Sequence, residues 1–330
     1  MSGRARRALA VEVERLAGDL RGPLSRVEDA VTTLLDGEDL PSDVPAHALF
    51  EGGIPRIRPL LVVLAAQVPE RAADAGDADP LEVAAVAELL QRSIVLHDAA
   101  LGPRDGRRRR AARRVLRGAT AWFGGSQLTL RALELARRAP SPEVLGEALD
   151  ALRELTEGHA LGQALRERPV DVQDALLHAE SHAGVIFAFA CRAGGRLAGA
   201  SRPELTALGR YGRHLGVAWQ LAEDLAVFER GPDAVIREAA TARPLLPVVA
   251  ATLRVPDIGA RWRAVGAGTG DAAGVADAIR AAGGLQSARE ALVQRAWAAR
   301  AALAGLPESQ ARASLGRIAD ALARGSETPR

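Results

Sequence analysis

Leu208-Gly209-Arg210-Tyr211-Gly212-Arg213-His214-Leu215-Gly216-Val217-Ala218-Trp219-Gln220-Leu221-Ala222-Glu223-Asp224-Leu225-Ala226 is the stretch whose reading decides the fold class. Leu208, Tyr211, Leu215, Trp219, Ala222 and Ala226 recur at the 3.6-residue period and give a helix one continuous apolar face. Gln220, Glu223 and Asp224 interrupt that apolar helix. Burying such groups without partners is costly, so the pattern predicts a helix lining a polar cavity. Carboxylates of this kind suit Mg²⁺, which takes a few of them together with substrate phosphates.

The same period recurs almost everywhere else, and no run alternates cleanly with period two. Of 330 residues 48% are hydrophobic and only 3% aromatic, so Ala, Leu and Val supply the apolar volume, a mix that favours helices. The fold is therefore read as all-α. Breaks fall at Arg21–Pro23, Pro69–Pro80, Gly102–Gly106, Ala139–Pro142, Pro169, Gly199–Pro203, Gly231–Pro232 and Gly266–Gly274. They divide the chain into roughly a dozen or more helices. With no repeat and no linker, one domain over 1–330 is expected, with N-terminal helices in 1–40 and a tail at 325–330. The Gly-x-Gly of 264–275 follows no strand and reads as a loop, not a dinucleotide site.

All 43 basic residues are Arg, a usage that fits a GC-rich codon bias, and the net charge is only +2. A global nucleic-acid surface is not supported. Cys191 is the single cysteine, which excludes an internal disulfide and fits a reducing compartment; its apolar surroundings predict a packed core thiol. Glu12 and Glu14 break any signal-peptide core, and the longest apolar run, Leu60 to Ala66, is too short to cross a membrane. A cytoplasmic protein without a transmembrane segment is expected.

Three further segments carry chemistry. Gly53-Ile54-Pro55-Arg56-Ile57-Arg58-Pro59 opens an apolar helix, and two Arg there fit either an anion site or a solvated turn. The helix from Leu81 ends in Gln91-Arg92-Ser93-Ile94-Val95-Leu96-His97-Asp98, where the macrodipole opposes an acid, so a cation or solvent must compensate Asp98. Arg104 to Arg117 holds eight Arg against one Asp; clustered guanidiniums suit polyphosphate, and the stretch lacks the aromatics that base stacking needs. His178 and His182 could share a helical face, but Ala179 stands where a zinc-protease motif needs Glu, and the sequence shows no third ligand.

Taken in order from about residue 40 to the C-terminus, these segments resemble the polyprenyl synthetase (trans-isoprenyl diphosphate synthase) family. Gly53–Pro59 is similar to its Gly-Gly-Lys-Arg-x-Arg-Pro motif, which grips isopentenyl diphosphate, with Arg56 and Arg58 matching and Pro55 replacing Lys. Gln91 falls where members carry His or Gln against the same diphosphate. Leu96-His97-Asp98-Ala99-Ala100-Leu101-Gly102 resembles the first aspartate-rich motif, keeping Asp98 but replacing two aspartates by Ala99 and Gly102. Arg107 and Arg108 match the paired Arg that follow. Phe123-Gly124-Gly125-Ser126 resembles Leu-Ala-Gly-Asp, and His182-Ala183 stands in place of Lys-Thr. Trp219 to Asp224 resembles the second aspartate-rich motif, with Val227 replacing its last Asp; Ala242 to Pro247 is similar to Gly-Lys-x-Thr-Leu-Pro, with Arg243 keeping the charge.

The resemblance implies an isoprenoid-synthase-like helical bundle around a central cavity. It also implies isoprenyl diphosphate substrates and Mg²⁺ held by Asp98, Glu223 and Asp224. The substrate-binding residues would be Arg56, Arg58, Gln91, Arg107, Arg108, Gln220 and Arg243. The family joins an allylic diphosphate to isopentenyl diphosphate, with metals neutralising the leaving group. Here the arginine side is kept and the carboxylate side is depleted. That pattern fits a prenyltransferase with a modified metal site, or a non-catalytic subunit or prenyl-diphosphate-binding partner of an active homologue; a homodimer, or a heterodimer with such a homologue, is expected. A relative that ionises and cyclises prenyl diphosphates is a third reading, which the near-empty first motif disfavours.

Overall fold

The computed structural model describes residues 4–20, 24–27, 29, 57–69, 80–100, 108–165 and 168–326, with the backbone alone at 4, 19, 99, 108–117 and 326. Fourteen α-helices and no strand occur among these residues. They are α1 (Arg4–Asp19), α2 (Ile57–Ala65), α3 (Leu81–Ala100), α4 (Arg108–Arg138), α5 (Glu143–Ala164) and α6 (Val172–Ala179). A single π turn, Glu180–Gly184, joins α6 to α7 (Val185–Leu197). Then come α8 (Arg202–Val227), α9 (Pro232–Ala240), α10 (Leu246–Arg254), α11 (Asp257–Gly266) and α12 (Ala272–Ala281). The series closes with α13 (Gly284–Ala302) and α14 (Gln310–Ser326). The all-α expectation holds for these residues, and 264–275 forms the end of α11, a loop and the start of α12. No helix among them is long and apolar enough to cross a membrane.

The long helix α8 is the hub, with α7 and the π turn against one flank and α13 against another. Its apolar face is buried as the period predicts: Leu208, Tyr211, Leu215, Trp219, Ala222 and Ala226 all face the core. Tyr211 is wholly buried and its hydroxyl donates to the Leu315 carbonyl at 2.8 Å, which ties α8 to α14. All nine residues of α2 are buried against α7 and neighbouring α3, the apolar run extended by a buried Arg58. Cys191 is buried on α7, and burial pushes its thiol far up, so it stays protonated, a packed core residue.

Two glycines set how close α8 approaches α7. A Cβ at Gly212 would fall on the Phe187 carbonyl, and one at Gly216 on the Ala183 carbonyl. Backbone therefore lies on backbone along the whole segment 183–187. Gly158 on α5 leaves room instead for a side chain, since a Cβ there would stand 2.6 Å from that of Ser181. At the start of α6 the Asp171 side chain accepts from the Asp174 amide at 2.9 Å, and Asp174 accepts from the Asp171 amide at 3.1 Å. Arg168 then grips both Asp174 oxygens at 2.7 and 2.5 Å. This cap fixes the helix that delivers His178 and, through the π turn, His182.

A generic Gly→Ala change inside a helix is worth up to about 1 kcal/mol of stabilisation. At Gly212 and Gly216 the sign reverses, and each substitution costs about 1–3 kcal/mol or more through overpacking. Gly146→Ala on α5, where a Cβ meets nothing within 4 Å, supplies the stabilised control. Urea denaturation of the three variants checks this, and a stabilised Gly212→Ala would contradict it.

The Asp174 carboxyl is held below the usual carboxylate range, first by Arg168 and then by the Asp171 amide. A depressed folded pKa gives stability that is fully present above the unfolded value, about pH 4, and lost as pH falls through the folded one. Asp174→Asn is therefore less stable than the parent near pH 7, and the gap narrows as the pH falls below about 4. Denaturation followed across that range reads this out; a gap unchanged in acid would refute it.

Candidate functional site

A cavity of about 140 Å³ opens where α3, α6, the π turn and α8 meet, closed by the segment after α9. Its wall is made by Gln91, Ile94 and Asp98 of α3, His178, Ala179, His182 and Ala183, then Trp219 and Gln220 of α8, and Arg243. The helical period explains the selection. Positions 91, 94 and 98 lie on one face of α3, and 178–179 and 182–183 on one face of the α6–π segment. His97 looks the other way and packs its ring on Trp122 of α4, centroids 4.7 Å apart. Gly125 leaves room for it, since a Cβ there would stand 2.5 Å from the imidazole. Burial depresses the His97 pKa, which keeps it neutral. Ser126, in place of an expected Asp, turns its hydroxyl back onto the Trp122 carbonyl at 3.0 Å.

Asp224 is almost fully buried, and its Oδ1 accepts from Gln220 Nε2 at 2.9 Å and meets an Arg243 amino group at 3.0 Å. Burial pushes the Asp224 carboxyl up, while Arg243 and Gln220 pull it back. Arg243 also donates through Nε and Nη2 to Glu238 Oε1 at 3.0 and 2.8 Å. Burial works against the guanidinium, but Asp224 and Glu238 outweigh it and hold it charged. The loop that delivers Arg243 carries Ala242 at φ +55°, a left-handed conformation that costs a non-glycine residue about 1–2 kcal/mol. Glu223, one position earlier, lies off the cavity wall, largely buried, and is gripped by Arg6 at 2.5 Å and Arg230 at 2.8 Å.

Asp98 is half-exposed at the end of α3. Its Oδ1 lies 3.0 Å from His159 Nε2, on α5. Burial alone would raise the Asp98 carboxyl, but His159, His182 and Arg243 draw it below its usual value. Asp98 in turn raises the His159 imidazole against its burial, whereas burial depresses His182. The rings of His159 and His182 are 5.1 Å apart, and those of His178 and His182 4.2 Å.

The structure thus brings Asp98, Gln91, Gln220 and Arg243 to one cavity, with Asp224 behind Arg243. Glu223 points away from it into its arginine pair. Arg58 is directed elsewhere: it is buried, and donates to both Glu88 oxygens at 2.8 and 3.3 Å, a cluster that Arg92 joins at 3.5 Å. Arg56 and Arg107 lie outside the described residues, as do Gly53, Pro55 and Gly102, and Arg108 is described only as the first backbone position of α4.

Sequence reasoning missed His159, Glu88, Glu238 and Arg6. All four are brought in from other turns or helices and stand in no motif. The one available hint was Gly158-His159 with Gly162, since small residues one turn apart let another backbone come close. Trp219 belongs both to the apolar face of α8 and to the segment that resembles the second aspartate-rich motif. It also carries a buried indole N–H with no hydrogen-bond partner among the described residues, a donor left over beside the cavity.

Comparison with known proteins gives a consistent picture. The family described as Polyprenyl synthetase matches residues 43–239. A nonaprenyl diphosphate synthase of Mycobacterium tuberculosis is 30% identical over 92% of this chain and 92% of its own. A short chain isoprenyl diphosphate synthase of Methanothermobacter thermautotrophicus is 30% identical over 83% of this chain and 87% of its own. Among solved structures, a polyprenyl synthase from Caulobacter crescentus, complexed with calcium and isoprenyl diphosphate, superposes with a TM-score of 0.73. It is 27% identical, covering 94% of this chain and 98% of the other.

Arg243→Leu leaves Asp224 buried without its cation and is expected to cost about 3–5 kcal/mol. Replacing Asp224 by Leu as well recovers part of that loss. Thermal unfolding of the single and double variants tests this, and a neutral single variant would show that Asp224 is hydrated instead.

Proposed function

The chain belongs to the polyprenyl synthetase family, and from that premise we propose that it binds isoprenyl diphosphates in the cavity at Asp98, Gln91, Gln220 and Arg243. There it transfers a prenyl group from an allylic diphosphate to isopentenyl diphosphate, at a metal site much weaker than that of its relatives. The observation that carries this reading is the pairing of the acidic side chains. Asp224 is held by Arg243 and Gln220, Glu223 by Arg6 and Arg230, and Asp98 by His159. Mg²⁺ needs hard oxygen donors free to face it and the phosphates together. In this donor set the carboxylates already have cationic or imidazole partners, so the residues present do not fit a tightly held Mg²⁺ cluster.

What remains for catalysis comes from the chain itself. Gln91 and Gln220 offer amide donors to diphosphate oxygens, and Arg243 places at the cavity wall a guanidinium that a diphosphate would have to share with Asp224 and Glu238. Trp219, backed by the buried Phe187 ring at a centroid distance of 5.6 Å, supplies an apolar part of the wall that keeps water from a prenyl cation. Each lost electrostatic group costs about 10²–10³ in rate, so slow turnover follows.

The same pairing favours a second reading, a non-catalytic subunit that binds prenyl diphosphate beside an active homologue. Trp122 and Phe123, 48% and 65% exposed on α4, offer apolar surface for such a partner or for a second copy.

Condensation of labelled isopentenyl diphosphate with an allylic diphosphate separates the two. The transfer reading predicts slow product formation that Asp98→Ala abolishes. No product from this chain alone, together with altered product from an added active homologue, would transfer the assignment to the second reading.

A further inference from the structure

We propose that Asp98, His159 and His182 form a binding site for a borderline divalent transition-metal ion of the Zn²⁺ or Co²⁺ class. The ligand atoms of these three side chains all lie within 4.8 Å of one another. Ligands on one tetrahedral Zn²⁺ stand about 3.3 Å apart, given bonds near 2.0–2.1 Å. The Asp98–His159 edge, at 3.0 Å, is already in that range, and a small turn of the His182 ring or the carboxylate closes the others.

Second contacts prepare both imidazoles for this role. His159 Nδ1 faces the Leu155 carbonyl at 2.9 Å, and His182 Nδ1 faces the His178 carbonyl at 3.1 Å, nearer than the Ser181 hydroxyl at 3.4 Å. A carbonyl only accepts, so each Nδ1 carries a proton; His182 Nε2 keeps its lone pair for a metal, and His159 Nε2, facing the Asp98 carboxylate, gives up its proton when a metal binds. His159 Nε2 is buried and faces the Asp98 carboxylate at 3.0 Å in a poorly aligned contact, which ligation by a metal ion between the two would replace.

The backbone is arranged to the same end. Gly158 lets α5 approach Ser181, which brings His159 beside His182. His182 itself rides on the π turn, a feature frequent at functional sites. Two nitrogens and one carboxylate select Zn²⁺, Co²⁺ or Fe²⁺ over Mg²⁺, which prefers oxygen. Because Asp98 and His182 line the cavity, the open positions of the ion face it, where an anionic oxygen can complete the shell. Metal binding here does not depend on any prenyl-transfer activity.

The test uses the full chain stripped with EDTA and titrated with Co²⁺, followed by visible absorption and by calorimetry. The expected result is one Co²⁺ per chain with a d–d band, displaced by Zn²⁺ and untouched by millimolar Mg²⁺. His159→Ala and His182→Ala each lower the affinity at least tenfold, and circular dichroism checks their fold. Asp98→Asn, on the half-exposed carboxylate, lowers affinity likewise and stands in if a histidine variant fails to fold. Absence of a Co²⁺ band, or binding unchanged in the folded variants, would overturn the proposal.

Discussion

The molecule is organised by the contact of bare backbone with bare backbone along α8. With no Cβ at Gly212 and Gly216, the carbonyls of Phe187 and Ala183 sit directly on the helix that carries Gln220 and Asp224. That contact settles the depth at which the π turn lies. The π turn in turn presents His182 to the cavity beside Asp98. Gly158 on α5 leaves room for the Ser181 side chain and so sets His159 beside the π turn. The polar residues of the cavity converge because the helices beneath them are spaced by hydrogen atoms instead of side chains.

Around that frame, the charges are largely spent internally. Arg58 is held by Glu88, Arg243 by Asp224 and Glu238, and Glu223 by Arg6 and Arg230. Removing one partner from any buried pair is far more costly than the net worth of the pair. Each of these groups is therefore fixed by its partner, whatever it does for a substrate. An arginine in the right motif is evidence of ancestry, and its counter-ion decides whether it still has charge to offer a phosphate.

The helical fold was legible from periodicity, most directly at Leu208 to Ala226, because a buried stripe imposes a local repeat that the chain displays in order. The location of Asp98, Gln91, Gln220 and Arg243 was legible as well, since each stands in an ordered motif. Their partners were not. Glu88, Glu238 and Arg6 are ordinary charged positions until the tertiary fold brings them within 3.0 Å or so of a guanidinium or carboxylate. His182 was paired in sequence with His178, four residues away, and no third ligand was visible. The fold supplies His159 and Asp98 from two other helices, a proximity that depends on Gly158 and on a π turn that no local pattern announces.

The central claim is that metal capacity at this site has moved from the paired aspartates to a histidine–carboxylate set. Anomalous diffraction from crystals soaked with Mn²⁺ or Zn²⁺ and an allylic diphosphate measures this most directly. The account predicts a single Zn²⁺ peak between Asp98, His159 and His182, with no Mn²⁺ peak against Glu223 or Asp224. A cluster of Mn²⁺ ions bridging Asp98 and Asp224 through the diphosphate, with Arg243 displaced, would contradict it.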